Sequence, residues 1–148
     1  MNYFESINPT NGKIIKEYLP LCDDKLNEIL LNTDRRFDSW KKNTVDERST
    51  YFLEIAEIID QKKNELSVLL ASEMGKPIMQ GKAEIEKCAL LCRYYANNAA
   101  LFLKDDIIKT EASKSYATFK PLGIILGIMP WNFPFWQVFR FAVPTMIA

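Results

Sequence analysis

The sequence predicts an α/β chain that is rich in helix, with a β-hairpin, an edge strand and one buried strand. Three observations carry that reading. Between Asp23 and Leu103, apolar residues recur at helical spacing in four successive segments. Near the start, an Asn-Gly pair separates two short runs of β-formers. After residue 105 the period changes, first to alternation in "SKSYATFKP" and then to the continuous apolar run "GIILGIM".

The elements follow in order. "INPTNGKIIKEY" reads as strand, turn at Asn11-Gly12, and strand. "DDKLNEILLNTDRRFDSWKK" places Leu26, Ile29, Leu30, Phe37 and Trp40 at near-helical spacing, with Asp23 and Asp24 in the first turn, where the helix dipole favours anions. "TVDERSTYFLEIAEIIDQKKNEL" opens with Thr44 and Glu47 at capping-box spacing and carries a stripe of Phe52, Ile55, Ile58 and Ile59. "ELSVLLASEMGKP" is a short helix stopped by Gly75, with Pro77 beyond. "PIMQGKAEIEKCALLCRYYANNAALFL" is a longer helix with Ile85, Cys88, Ala89, Cys92 and Tyr95 on or near one face. "SKSYATFKP" is expected at a sheet edge. "GIILGIM" is expected to be buried on both faces, as strands of helix-covered parallel sheets are. Trp131-Asn132-Phe133 makes a turn, and Pro134 suits the first position of the helix "PFWQVFRFAVPTMIA". One buried strand makes no sheet, and that last helix ends without a polar stop, so the fold is expected to continue past Ala148.

The totals exclude some functions. The chain has 148 residues, 48% hydrophobic and 26% charged, with a formal net charge of zero. That is a globular composition, and its charge balance offers no footprint for nucleic acid. A small anionic substrate is compatible, because one Arg can bind it without moving the total. There is no His, so Ser–His and Cys–His nucleophile pairs within this chain are excluded. Three cysteines, Cys22, Cys88 and Cys92, lack disulfide-like spacing, and "MNYFESINPT" is no signal peptide. The expected compartment is the cytoplasm. Leu122–Ala148 is long and apolar enough to raise the question of a membrane span. Three prolines and Arg140 argue against it.

Chemistry concentrates in "PWNFPFWQVFR". A turn between a strand end and a helix N-terminus is where α/β proteins bind ligands, and Asn132 sits there. Its amide either donates to an oxyanion or caps the helix. Arg140 either holds a carboxylate bidentately or forms an ordinary salt bridge. Trp131, Phe133, Phe135 and Trp136 either wall a pocket or join the core. Cys88 and Cys92, spaced i, i+4, amount to two metal ligands or two small buried hydrophobes. Zinc needs three or four ligands, so no metal site is expected. "PLGIILGIMP" has its two glycines at the wrong spacing for a dinucleotide fingerprint.

At "PLGIILGIMPWNFPFWQVFRFAVPTMIA" the chain strongly resembles the aldehyde dehydrogenase superfamily, and within it the succinate-semialdehyde dehydrogenases. "INPTNGK" and "EMGKPIMQGKAEIEKCALLCRYYA" support the likeness. The resemblance runs over the whole chain and covers about the first third of a family member. It implies that residues 1–148 are an incomplete N-terminal cofactor-binding domain, with the catalytic domain absent. It implies that Asn132 donates to the aldehyde oxygen as that atom becomes an oxyanion. Met129, Pro130 and Trp131, with Asn132, would line the nicotinamide side of an NAD or NADP site. Arg140 would bind the distal carboxylate of the substrate, and Phe133 and Trp136 would wall the funnel. Segment 105–121 would belong to a hairpin that adds strands between subunits, making the complete protein a homo-oligomer.

The family reaction oxidises an aldehyde to the carboxylate. A Cys thiolate attacks the carbonyl, hydride passes to the nicotinamide, and a Glu-activated water hydrolyses the thioester. None of Cys22, Cys88 and Cys92 matches the context of that nucleophile. The chain alone is therefore expected to be inactive. The competing reading is non-enzymatic, a truncated remnant or a fragment that binds intact subunits.

Overall fold

A computed structural model describes residues 3–148. Two strands come first, β1 (Phe4–Ile7) and β2 (Ile14–Tyr18), paired antiparallel. Asn11 and Gly12 do lie in the turn, but the loop between the strands runs from residue 8 to 13. It is held by side-chain amides, with Asn8 Oδ1 accepting from the Thr10 N–H at 2.9 Å and Asn11 Oδ1 from the Lys13 N–H at 3.0 Å. Gly12 takes φ +69°, the left-handed value that favours glycine in such a turn.

Four helices follow: α1 (Asp23–Trp40), α2 (Val45–Gln61), α3 (Lys63–Met74) and α4 (Ile78–Phe102). The capping box at α2 forms as its spacing predicts. Thr44 Oγ1 accepts from the Glu47 N–H at 3.2 Å, and Glu47 Oε2 accepts from the Thr44 N–H at 2.7 Å. Gly75 closes α3 with φ +70°, and a Cβ there would also lie 3.2 Å from Pro9 Cγ.

The core lies where α2, α4 and the last helix α5 (Pro134–Ile147) converge, with α3 along one flank of α4. Phe52, Ala56 and Ile59 from α2 meet Ile85, Cys88, Ala89 and Cys92 from α4 and Val143 and Ile147 from α5. Ile58 departs from its expected stripe and is exposed. Gly81 lets α4 approach α3 closely, since a Cβ there would lie 3.4 Å from Ser67 Cα. Arg93 ties α4 to α2 through Glu57 and Asp60, each at 2.6 Å.

α1 differs from its expected packing. It has no buried residue, and Leu26, Ile29 and Leu30 are all exposed. Only its end engages the helices, through Trp40. The indole Nε1 of Trp40 donates to the Met146 carbonyl at 2.8 Å, and its ring lies 5.5 Å from that of Tyr51.

Between α4 and α5 the chain forms a small hairpin of β3 (Asp106–Ile107) and β4 (Tyr116–Ala117). The expected edge strand is thus two residues long. The expected buried strand at 123–129 does not form. That run has no ladder partner, and Leu126 and Ile128 are 83% and 87% exposed. The reason is pairing: a strand is held by its neighbours, and the two sheets among the described residues are each a two-stranded hairpin. The run instead passes over α5, where a Cβ at Gly127 would lie 2.6 Å from the Phe141 ring. It also roofs an apolar cavity of about 830 Å³ lined by Trp40, Tyr51, Phe141 and Met146. Among the described residues no helix is long and apolar enough to cross a membrane.

Candidate functional site

Pro134 opens α5 as its fixed φ predicts. The N-cap position is Phe133, and α5 receives no hydrogen bond from a capping side chain of its own. Asn132 is therefore not the cap. It is exposed, and among the described residues its side chain has no hydrogen-bond partner. An amide free at this turn is available to a ligand.

Asn132 lines a cleft of about 590 Å³ with Gln80, Ala83, Glu84, Lys87, Phe133, Trp136 and Gln137. α4 supplies one wall and the start of α5 the other. Of the residues singled out from the sequence, the cleft brings together Asn132, Phe133 and Trp136. Met129 is half-buried and Pro130 and Trp131 are exposed on the approach to the turn, outside that lining. Arg140 is exposed on α5, four residues beyond Trp136 and so on the same helical face. It forms no ion pair among the described residues, which leaves its guanidinium without the salt bridge of the alternative reading. Its carbonyl also lacks the usual helical donor, because Pro144 stands four residues on.

Three charged residues of the site escaped the sequence reading. Glu84 and Lys76 form a buried ion pair, with side chains 1% and 5% exposed. The other Glu84 oxygen, Oε1, accepts from the Trp136 N–H at 3.0 Å. Trp136 is the third residue of α5, so Glu84 satisfies one of the helix's orphan amides from across the cleft. The Glu84 carboxylate thereby places a negative charge at the α5 N-terminus, where the helix dipole favours one. Lys76 Nζ lies 3.7 Å from the Phe133 ring centroid and donates to the Asn132 carbonyl at 3.4 Å. Lys87 stacks its ammonium on Trp136, 3.8 Å from the ring centroid. Glu84 and Lys87 sit in a helix that reads as ordinary amphipathic sequence. The one local signal was their i, i+3 spacing on the face that also carries Gln80.

The cysteines are not part of the cleft. Cys88 and Cys92 are fully buried in the core, and burial pushes their thiols up to about 12 and about 11. Cys22 is exposed and precedes α1. Among the described residues no group of three His, Cys, Asp or Glu side chains is placed to hold a metal ion.

Comparison with known proteins agrees with this architecture. The family model described as "Aldehyde dehydrogenase family" matches residues 1–148. A probable succinate-semialdehyde dehydrogenase [NADP(+)] of Synechocystis is 41% identical over 143 residues, which is 97% of this chain and 32% of that protein. A succinate-semialdehyde dehydrogenase [NADP(+)] 1 of Mycobacterium bovis is 36% identical over 146 residues, with the same coverage. The crystal structure of succinic semialdehyde dehydrogenase from Streptococcus pyogenes, in complex with NADP+, superposes with a TM-score of 0.91 at 26% identity, covering 97% of this chain and 32% of that one. The chain thus spans about a third of the length of the curated relatives it matches, and it belongs to the aldehyde dehydrogenase family.

Proposed function

We propose that this chain contributes the oxyanion donor and part of the substrate wall to an enzyme that oxidises succinate semialdehyde, or a similar acidic aldehyde, with NADP or NAD. The observation that carries the reading is Asn132. Its amide is exposed and, among the described residues, without a partner, at a turn that two buried charges hold. In that place the amide N–H points donor capacity at an aldehyde oxygen, and it is worth most when that oxygen becomes an anion. Phe133 and Trp136 shield the oxygen from water on the α5 side. Arg140 supplies a cation for a distal carboxylate, supported by its exposed guanidinium on the Trp136 face, which forms no ion pair among the described residues.

The cofactor residues fit a flat ring better than a phosphate. Pro130 and Trp131 offer exposed apolar surface and peptide groups, while Glu84 fills the helix N-terminus that a phosphate would need. A nicotinamide bound there supplies the hydride acceptor. The nucleophile comes from outside these residues, since none of the three cysteines lines the cleft with Asn132. The 148-residue chain by itself is accordingly inactive, and aldehyde-dependent formation of NADPH or NADH by the purified chain would overturn that statement.

The test is mutagenesis in the protein that carries this chain. Asn132→Ala lowers kcat by about 10²–10³, as removal of other oxyanion donors does; a fall below threefold sinks the assignment. Arg140→Ala raises KM for succinate semialdehyde much more than for an uncharged aldehyde of similar length. Equal effects on the two substrates make Arg140 structural.

A further inference from the structure

Among the described residues no partner holds the Asn132 side chain, yet an oxyanion donor must be placed before the reaction begins. Its position is set by its backbone, and that backbone is gripped from both sides. On one side Glu84 Oε1 takes the Trp136 N–H. On the other, Lys76 donates to the Asn132 carbonyl and lies against the Phe133 ring. The two grips are joined, because Lys76 and Glu84 form a buried ion pair with each other. The pair belongs to the rigid part of the chain. Glu84 sits in the second turn of α4, and Lys76 follows the Gly75 stop of α3.

Burying two charges is an expensive way to gain stability, and apolar residues of similar volume often serve as well. What a buried pair with directed hydrogen bonds adds is orientation. Resting on the reading of Asn132 as oxyanion donor, we infer that Lys76 and Glu84 are positioning residues that hold the turn at Asn132 in its reactive geometry. Lys76 and Glu84 act through Asn132 and touch no reacting atom.

The test uses the protein that carries this chain and the double variant Lys76→Met/Glu84→Gln. That variant leaves no unpaired buried charge and keeps an acceptor for the Trp136 N–H. The expected result is a kcat lowered by about tenfold or more, since small misplacements of a reacting group cost up to about 10²-fold. KM for the aldehyde stays within about twofold, as an interaction felt in the transition state requires. In an Asn132→Ala background the same pair of substitutions lowers kcat no further. A drop of equal size in both backgrounds, or no drop in either, overturns the inference while leaving Asn132 as donor. A fall below threefold from Asn132→Ala itself removes the donor reading and the inference with it. A second measurement does not depend on turnover: exchange of the Trp136 amide hydrogen is slow in the parent and in Glu84→Gln, and fast in Glu84→Ala. Equal exchange in all three means that Glu84 does not secure the turn, and the inference fails.

Discussion

α1 and α4 are both long helices with apolar residues at helical spacing, yet one is bare and the other is the hub of the molecule. α1 segregates its apolar residues onto one face more sharply than α4 does, and it buries none of them. α4 spreads its apolar residues more evenly, and buries Ile85, Cys88, Ala89, Cys92 and Ala99. The difference is one of neighbours. α4 meets α2, α3 and α5 along one broad face, which carries Gly81, Glu84, Ile85, Cys88, Ala89, Cys92 and Ala99. α1 touches the bundle through the Trp40 turn at its end. A clean stripe predicts a helix with one face to cover; it does not supply the cover.

Five predictions break or sharpen that contrast. The largest effect falls in the hub. Ile85→Ala removes a side chain with no exposed surface and should cost about 2–5 kcal/mol in urea unfolding followed by circular dichroism. A loss below about 1 kcal/mol would mean that α4 is not the centre of the core. Next comes Gly75→Ala, which forces a side chain into φ +70° and against Pro9, at about 1–2 kcal/mol by the same assay.

Thr44→Ala, at the junction between the bare and buried helices, should cost about 1 kcal/mol. It also has a pH signature. The Thr44 N–H and hydroxyl hold the Glu47 carboxyl below its ordinary value. That contribution is present above the carboxyl's unfolded value and fades as pH falls through the lowered folded one. Thr44→Ala removes the hydroxyl and keeps the N–H, so it should flatten the acid limb of the stability curve only in part, and an unchanged limb would mean that the hydroxyl does not act on Glu47. The smallest effect belongs to α1, where Leu30→Ala should shift stability by no more than about 0.5 kcal/mol, because its side chain is already exposed. A large loss there would mean that α1 is covered in solution. Thiol labelling gives an independent view of the contrast. Cys22 should react in the native state, while Cys88 and Cys92, buried and with raised thiols, should react only after unfolding.

Part of the candidate cleft is legible in the sequence. Asn132, Phe133 and Trp136 were singled out from a short aromatic run and a family resemblance, and they share one cleft. Arg140 was singled out with them but stands one turn beyond that lining. Glu84 and Lys87 are missed because charged residues along an amphipathic helix ordinarily face water, and Lys76 because a lysine in a short link between helices ordinarily does too. Only helical spacing, which sets Glu84 one turn from Cys88, separates Glu84, which is buried, from Glu86, whose side chain is 55% exposed.

By itself the sequence determined the start of α2 at Thr44, the stop of α3 at Gly75, the start of α5 at Pro134 and the Asn11-Gly12 turn. Each depends on atoms within a few residues of one another, so local chemistry is sufficient. Tertiary structure decided which apolar faces are buried, that the run 123–129 forms no ladder, and that a carboxylate 52 residues away secures the amide of Trp136. Burial, strand pairing and a cap from another helix all require a partner brought in by the fold, and no local pattern specifies whether that partner arrives.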